Sequence, residues 1–196
     1  MTTRERVRLF ILLRVQLGQL EEPAMPLRDL VIYPDPLLRE TCEPVGEIDD
    51  EIRQLVEDMV ETMYYHEGAG LAAIQVGALK RIFIADPVLA GGTREDPALV
   101  YINPEILGSE GDQEGDEGCL SFPGIFVPVK RPLQVTIRAT NLDGEQFEMT
   151  GEGILARAFL HETEHLNGEL LIDKVGRLKR QFINRKLKKR AAAREK

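Results

Sequence analysis

Apolar residues recur at steps of three and four over residues 50–67, the spacing that puts side chains on one face of an α-helix. The residues of this face are Ile52, Leu55, Val56, Met59, Val60 and Met63. Asp49 or Asp50 is available as the N-cap residue, where a carboxylate accepts a hydrogen bond from a free backbone N–H group. The pattern predicts a helix over Asp50–Glu67 with one face turned toward a hydrophobic core.

Shorter runs rich in β-branched and apolar residues predict strands. They are Arg81–Ala85, Leu99–Ile102, Ile125–Val129 and Leu133–Thr140. The turn sequence Asn141-Leu142-Asp143-Gly144 connects the last of them to a further strand, Glu145–Thr150, and so predicts a hairpin. Between strands, residues 108–118 carry five carboxylates, and we predict a solvated flap there rather than additional metal ligands.

A second helix is predicted over Glu152–Leu166, ending at Asn167-Gly168, where glycine can adopt the left-handed conformation that terminates helices. Its apolar side carries Ile154, Ala158 and Leu166. We expect that side to face a sheet and to bury the two histidines of the helix. Separate runs of strands and helices indicate an α+β fold.

This second helix contains the pentad His161-Glu162-Thr163-Glu164-His165. Helical spacing places the His161 and His165 imidazoles one turn apart, with Glu162 beside them. Such a pair binds one divalent metal, and the adjacent carboxylate can move protons for a metal-bound water. The alternative is a chance match, two solvated histidines and a surface glutamate. It is weakened because the chain has only three histidines.

A third metal ligand must come from outside the pentad. The longer pattern H-E-x-x-H-x-x-G-x-x-H is matched through Gly168, but Leu171 stands at its last histidine position. The candidates with soft or borderline ligand atoms are His66, Cys42 and Cys119. Cys119 lies in the sequence Glu117-Gly118-Cys119-Leu120-Ser121, and a thiolate with two imidazoles would leave a fourth position open for water. Taken alone, Cys119 is more simply interpreted as an inert buried thiol.

The segment Gly68–Gly77 combines small side chains and a flexible backbone with a single amide, that of Gln75. It fits G-x-G-x-x-A, the loose dinucleotide-binding pattern, which requires a preceding strand. A helix is predicted there instead, so we exclude nucleotide binding by this segment.

Together, three segments resemble the motifs GxGLAAxQ, EGCLS and HExxH of the peptide deformylase family. They are Gly68–Gln75, Glu117–Ser121 and His161–His165, in the family's order, and the resemblance extends from about Leu30 to Val175. It implies antiparallel or mixed β-sheets packed around a central metal-binding HExxH helix, with an N-terminal helix and a basic C-terminal helix.

The same resemblance implies that Cys119, His161 and His165 ligate one divalent metal ion. Fe²⁺ is expected from the family, although this donor set also accepts Zn²⁺, Ni²⁺ or Co²⁺. The implied reaction removes the N-formyl group from the formyl-methionine of newly synthesised polypeptides and releases formate.

The resemblance further implies that a metal-bound hydroxide would attack the formyl carbon, and that Glu162 would take the proton and return it to the leaving amine. The Gln75 amide and the Leu120 backbone N–H would hold the oxyanion. Gly70 is expected to contact the substrate through its backbone.

The sequence departs from the family pattern at four positions, none of them a ligand or the catalytic glutamate. They are Ala69, Ile74, Leu160 and Glu164. Ala69 affects the detailed fit of the peptide.

A zinc endopeptidase is an alternative class of enzyme. It is disfavoured by Leu171 and Cys119, and assays with formyl peptide and with casein separate the two classes. A catalytically silent, ribosome-bound member is a third hypothesis, which turnover would exclude.

Charge divides the chain unevenly. Residues 177–196 contain ten Lys or Arg against one acidic residue, a charge of +9, and the rest of the chain carries −17. This charge marks residues 177–196 as a basic C-terminal helix. The extent of the resemblance further predicts an N-terminal extension over residues 1–26 and a catalytic domain over 27–176. The basic helix is either a solvated helix or a polyanion-binding element, with ribosomal RNA as the expected partner.

Two widely separated cysteines indicate a reducing compartment, and we expect the cytoplasm. No apolar run approaches the roughly 20 residues of a membrane helix. Within residues 1–26, the residues Val7, Phe10, Ile11, Leu13 and Leu17 can form one side of a short helix. Three interpretations of that stretch are open. It is a weakly ordered extension, or translation starts at Met25 and not at Met1, or it is a targeting or membrane-surface segment.

Overall fold

The computed structural model describes residues 27–194, without the side chains of residue 188 and residues 190–194. The predictions made for residues 1–26 lie outside this part of the chain.

The described residues form three α-helices and seven strands. The helices are α1 (Asp50–Tyr65), α2 (Ile154–Leu166) and α3 (Arg177–Arg194). The strands are β1 (Gly70–Ala72), β2 (Ile82–Ala85), β3 (Leu99–Glu110), β4 (Gln113–Gly118), β5 (Phe126–Arg131), β6 (Gln134–Thr140) and β7 (Gln146–Glu152). Short 3₁₀ turns cover Pro36–Arg39, Ala73–Val76, Pro87–Ala90 and Leu171–Lys174.

Five strands form one antiparallel sheet in the order β1-β2-β3-β6-β7, and β4 and β5 form a separate antiparallel pair. Helix α2 packs against the larger sheet, which puts the pentad in the middle of the molecule. The predicted α+β class is therefore confirmed. Stacked aromatic rings fill the space under α2, with Phe83 and Tyr101 centroids 4.5 Å apart and Phe159 of α2 packed edge-on against Tyr101.

Helix α1 begins as predicted. The side chain of Asp49 caps it by accepting a hydrogen bond from the Ile52 backbone N–H at 2.9 Å. The helix ends at Tyr65, two residues before the predicted Glu67, because Glu67 has a positive φ of 58° that a helix cannot continue through.

The predicted buried side of α2 was correct for Leu166 and His165 but wrong for Ile154 and Ala158. Ile154 is 68% exposed, and Ala158 is half-buried at a cleft. The other residues facing the sheet are Leu155, Ala156 and Phe159. Gly151 in β7 explains this choice, because its missing side chain leaves room for the Leu155 and Phe159 side chains, which would lie 2.8 Å from a Cβ atom there.

The predicted flap over residues 108–118 was also wrong. β3 continues to Glu110, and β4 pairs with β5 along its whole length. The acidic side chains alternate along β4, so Glu114 and Asp116 point to solvent while Glu117 is 5% exposed. The prediction failed because most residues of the segment are charged or glycine, so the alternation of side chains typical of a strand was not recognisable from the sequence.

The C-terminal segment is helical, as predicted, but its apolar residues lie on two different sides. Ile183 and Leu187 are each 2% exposed and belong to a buried cluster, whereas Leu178 and Phe182 are 83% and 67% exposed. Helix α3 is therefore docked on the rest of the protein. No helix within the described residues is long and apolar enough to cross a membrane.

Candidate metal centre and active site

Three side chains converge where α2 passes the end of β4. His161 and His165 lie on α2, and Cys119 directly follows β4. Their potential ligand atoms lie within 4.8 Å of one another, and Cys119 Sγ is 3.2 Å from His165 Nε2. Cys42 is instead buried in the hydrophobic core, and His66 is exposed at the end of α1. Of the candidates that the sequence offered, Cys119 is thus the one that lies beside the histidine pair.

The surroundings of the two histidines suit metal binding. Burial, reinforced by the neighbouring His161, lowers the pKa of His165, so this ring is neutral and can offer a nitrogen lone pair. Burial acts against a charge on His161 as well, but contacts with Cys119 and Glu117 raise its pKa well above the usual value. The contacts that favour a proton on His161 would also favour a metal cation, which takes the place of that proton when the ring nitrogen binds it.

Glu117 supports His161 through the Nδ1 atom of the ring. His161 Nδ1 lies 3.2 Å from Glu117 Oε2, and the glutamate also accepts hydrogen bonds from Arg131 Nε at 2.9 Å and Arg157 Nη1 at 2.6 Å. Burial alone would raise the pKa of Glu117, but the hydrogen bonds from Arg131 and His161 hold it well below its ordinary value. An ionised carboxylate on Nδ1 fixes the ring orientation and leaves Nε2 for a metal.

The sequence alone did not reveal this supporting role of Glu117. Glu117 was noted only as the first residue of its motif, and its partners Arg131 and Arg157 were not singled out. The structure places Glu117 on the face of β4 opposite to exposed Glu114 and Asp116.

Glu162 follows His161 on α2 and is buried, with 5% of its surface exposed. Burial raises its pKa to about 7, and its Oε2 atom has no hydrogen-bond partner among the described residues. A carboxyl that titrates near neutral pH can both accept and return a proton. The backbone of β1 packs directly on it, since a Cβ atom at Gly70 would lie 2.6 Å from Glu162 Oε1.

Gln75 is held in place from both ends of its amide. Its Oε1 accepts a hydrogen bond from the Ala72 N–H at 2.8 Å, and its Nε2 donates to Ser121 Oγ at 3.2 Å. Nε2 is also 3.4 Å from Cys119 Sγ. The amide therefore presents its N–H groups to the same space as the three metal-ligating candidates.

A cleft of about 990 Å³ joins these groups. It is lined by the predicted site residues Gly70, Gln75, Cys119, Leu120, His161 and Glu162. β1 is an edge strand of the sheet, so Gly70 borders the cleft with one backbone edge unpaired by any strand of the described chain. Six of the seven residues singled out from the sequence thus line one cavity, and His165 is buried directly behind it.

Comparison with known proteins agrees with this arrangement. The family model described as polypeptide deformylase matches residues 27–181. A peptide deformylase of Acidobacterium capsulatum is 48% identical over 171 residues, which cover 87% of this chain and 99% of that protein. One from Clostridium botulinum is 51% identical over 150 residues, covering 76% and 97% of the two chains.

Solved structures give the same result. The crystal structure of a peptide deformylase from Legionella pneumophila superposes with a TM-score of 0.80 at 39% identity, covering 87% of this chain and 99% of that one. A peptide deformylase from Synechococcus elongatus, solved in complex with actinonin, has a TM-score of 0.77 at 38% identity, with coverage of 87% and 91%. The extent of these matches shows that the chain belongs to the peptide deformylase family, a family of metalloenzymes.

Proposed function

We propose that this protein hydrolyses the N-formyl group from formyl-methionine at the start of newly synthesised polypeptides, releasing formate and a free amino terminus. The observation that carries the proposal is the convergence of Cys119, His161 and His165 beside the buried Glu162, in a cleft bordered by an edge strand. Membership in a family whose curated relatives are named peptide deformylase supports the same substrate.

The donor set fits one divalent cation. One thiolate and two imidazoles converge within 4.8 Å, and Cys119 and His161 face the cleft, so a fourth coordination position would open toward substrate and water. A bound ion would lower the pKa of a water and polarise the formyl carbonyl. We propose Fe²⁺ as the native ion from the family, although the donors also suit Zn²⁺, Ni²⁺ and Co²⁺.

The residues of the cleft take distinct roles. Glu162 accepts the proton of the attacking water and returns it to the leaving amine nitrogen, a role suited to a buried carboxyl with a pKa of about 7. The Gln75 amide and the Leu120 N–H donate hydrogen bonds to the oxygen that becomes negative as water adds to the formyl carbon.

The substrate backbone would pair with β1. An extended peptide can add to an exposed strand edge through main-chain hydrogen bonds, and Gly70 lies on such an edge. This arrangement would bring the N-terminal formyl group toward Glu162, because β1 packs against that side chain.

Two measurements test the reaction. The metal-loaded protein should deformylate a formyl-Met peptide but leave casein uncut, whereas a zinc endopeptidase would cut casein. The variant Glu162→Gln keeps the shape of the side chain and should keep the metal, yet lose at least about 10²-fold in kcat. Near-normal turnover by metal-loaded Glu162→Gln would contradict the role of Glu162.

We further propose that residues 27–176 form the catalytic domain and that the outer side of α3 binds ribosomal RNA in the cytoplasm. Exposed cations flank exposed Phe182 on this side, among them Lys179, Arg185 and Lys189. Replacing these three cations by glutamate should abolish co-sedimentation with ribosomes and leave turnover of small peptides unchanged. Wild-type binding should weaken with salt, each neutralised phosphate adding about −0.7 to −0.9 to the log–log slope. Salt-insensitive binding would contradict the proposal.

A further inference from the structure

One segment of the chain, residues 119–126, lies between the cleft and α3. Phe122 and Ile125 of this segment line the cleft. The same two side chains belong to the buried cluster that contains Ile183 and Leu187 of α3. The wall that a substrate would contact is therefore backed by the C-terminal helix.

Polar contacts tie α3 to this wall as well. Lys186 Nζ donates a hydrogen bond to the Gly124 carbonyl at 3.1 Å. Asn184 Oδ1 accepts a hydrogen bond from the Tyr33 hydroxyl at 2.8 Å, and the Tyr33 ring stacks on Phe122 with centroids 4.8 Å apart. The helix thus reaches the wall directly at Gly124 and indirectly through Tyr33.

The wall is continuous with the chemical groups of the site. The Tyr33 N–H donates to the Ser121 carbonyl at 3.0 Å, and the Phe122 N–H donates to the Cys119 carbonyl at 2.9 Å. Ser121 Oγ in turn accepts a hydrogen bond from Gln75. A displacement of Phe122 or Ser121 would therefore shift Cys119 or Gln75 in the cleft.

We propose that the inner side of α3, formed by Ile183, Asn184 and Leu187, positions the wall Cys119–Phe126 and so sets the affinity for the peptide substrate. This inference rests on the proposed deformylase function. The three residues act through the wall and are positioning residues. Because Phe122 and Ile125 line the cleft without holding the reacting atoms, loosening the wall should weaken substrate binding more than it slows the chemical step.

The kinetic test compares two neighbouring residues of one helix. Ile183→Ala removes a buried contact of α3, and Phe182→Ala, at a 67% exposed position, is the matched control. Ile183→Ala should raise KM for a formyl-Met tripeptide at least about fivefold, with metal content unchanged and kcat within about twofold. Phe182→Ala should behave as wild type. Asn184→Ala, which deletes only the contact to Tyr33, should shift KM in the same direction by a smaller factor.

A second measurement does not depend on turnover. Hydrogen exchange of the Phe122 and Ile125 amides, followed by mass spectrometry, should be faster in Ile183→Ala and in Asn184→Ala but not in Phe182→Ala. If wild type fails to deformylate, the proposed function fails, and the exchange data still decide whether α3 positions the wall. If Ile183→Ala does not fold, Ile183→Val takes its place. A lower Tm with unchanged KM and unchanged exchange would show that α3 only stabilises the fold, and would overturn the inference.

Discussion

Gly70 offers a way to disturb Glu162 without changing its chemistry. A Cβ atom at Gly70 would lie 2.6 Å from Glu162 Oε1, about 0.8 Å short of the 3.4 Å at which ordinary van der Waals contact begins. Gly70→Ala must therefore displace the carboxyl or β1 by most of an ångström. A misplacement of about 1 Å can cost on the order of 10²-fold in rate, so we expect kcat to fall by roughly 10- to 100-fold with metal content unchanged.

The assay is steady-state deformylation of a formyl-Met peptide, with Gly46→Ala as control, because a Cβ atom at Gly46 meets no atom within 4 Å. If Gly70→Ala acts through Glu162, adding it to Glu162→Gln should cost far less than it costs alone. A rise in KM with normal kcat would refute this reasoning, since the methyl group would then obstruct the peptide and not the carboxyl.

Three further predictions follow from the surroundings of the site. Glu117→Gln should weaken metal affinity about 10- to 100-fold in a chelator competition, because the charge that orients His161 is lost, and unchanged affinity would contradict this role. Burial raises the pKa of Cys42 to about 11, so iodoacetamide at neutral pH should label Cys119 in the metal-free native protein and spare Cys42, while added metal should protect Cys119. Burial opposes ionisation of Asp173, yet its hydrogen bond from Arg39 lowers its pKa. The stability that this carboxylate contributes is therefore present above the unfolded pKa of about 3.9 and is lost as pH falls through the folded pKa. In urea unfolding, the stability difference between wild type and Asp173→Asn should shrink in acid, and a difference that does not change with pH would contradict this.

The sequence predicted two of the candidate ligands, His161 and His165, because a spacing of four residues has one geometric consequence in a helix. The i, i+4 relation of His161 and His165 fixes their relative position as soon as the segment is helical, whatever the helix packs against. Cys119 was different, since no spacing rule connects it to α2, and its assignment came from the family resemblance. The structure brings its Sγ to 3.2 Å from His165 Nε2 through the pairing of β4 with β5 and the docking of that pair near α2.

Features that depend on distant partners were not predictable in the same way. The buried side of α2 was misassigned at Ile154, because this residue is apolar yet lies at the cleft, where substrate rather than protein can cover it. The acidic segment was assigned to solvent because nothing local reveals that Arg131, fourteen residues along the chain, pairs with Glu117. A charged residue in a sequence indicates an exposed side chain only when the fold does not pair it with a buried residue of opposite charge.

Glu164 shows how far this limitation extends. It departs from the family pattern and is neither a candidate ligand nor the proposed proton carrier. In the structure, the Glu164 carboxylate accepts a hydrogen bond from Arg131 Nη2 at 2.9 Å and lies 2.7 Å from Lys174 Nζ. The same Arg131 nitrogen donates to Glu117 Oε2, the atom that faces His161 Nδ1.

One guanidinium is therefore shared by two carboxylates, and Lys174 supplies a second positive charge to the outer one. A buried pair is stable only when each charge is matched, so the balance at Glu164 determines how firmly Arg131 holds Glu117. Glu117 in turn orients His161. A substitution two residues along α2 from the proposed proton carrier thus reaches a metal-ligating ring by three successive contacts, none of which is local in the sequence.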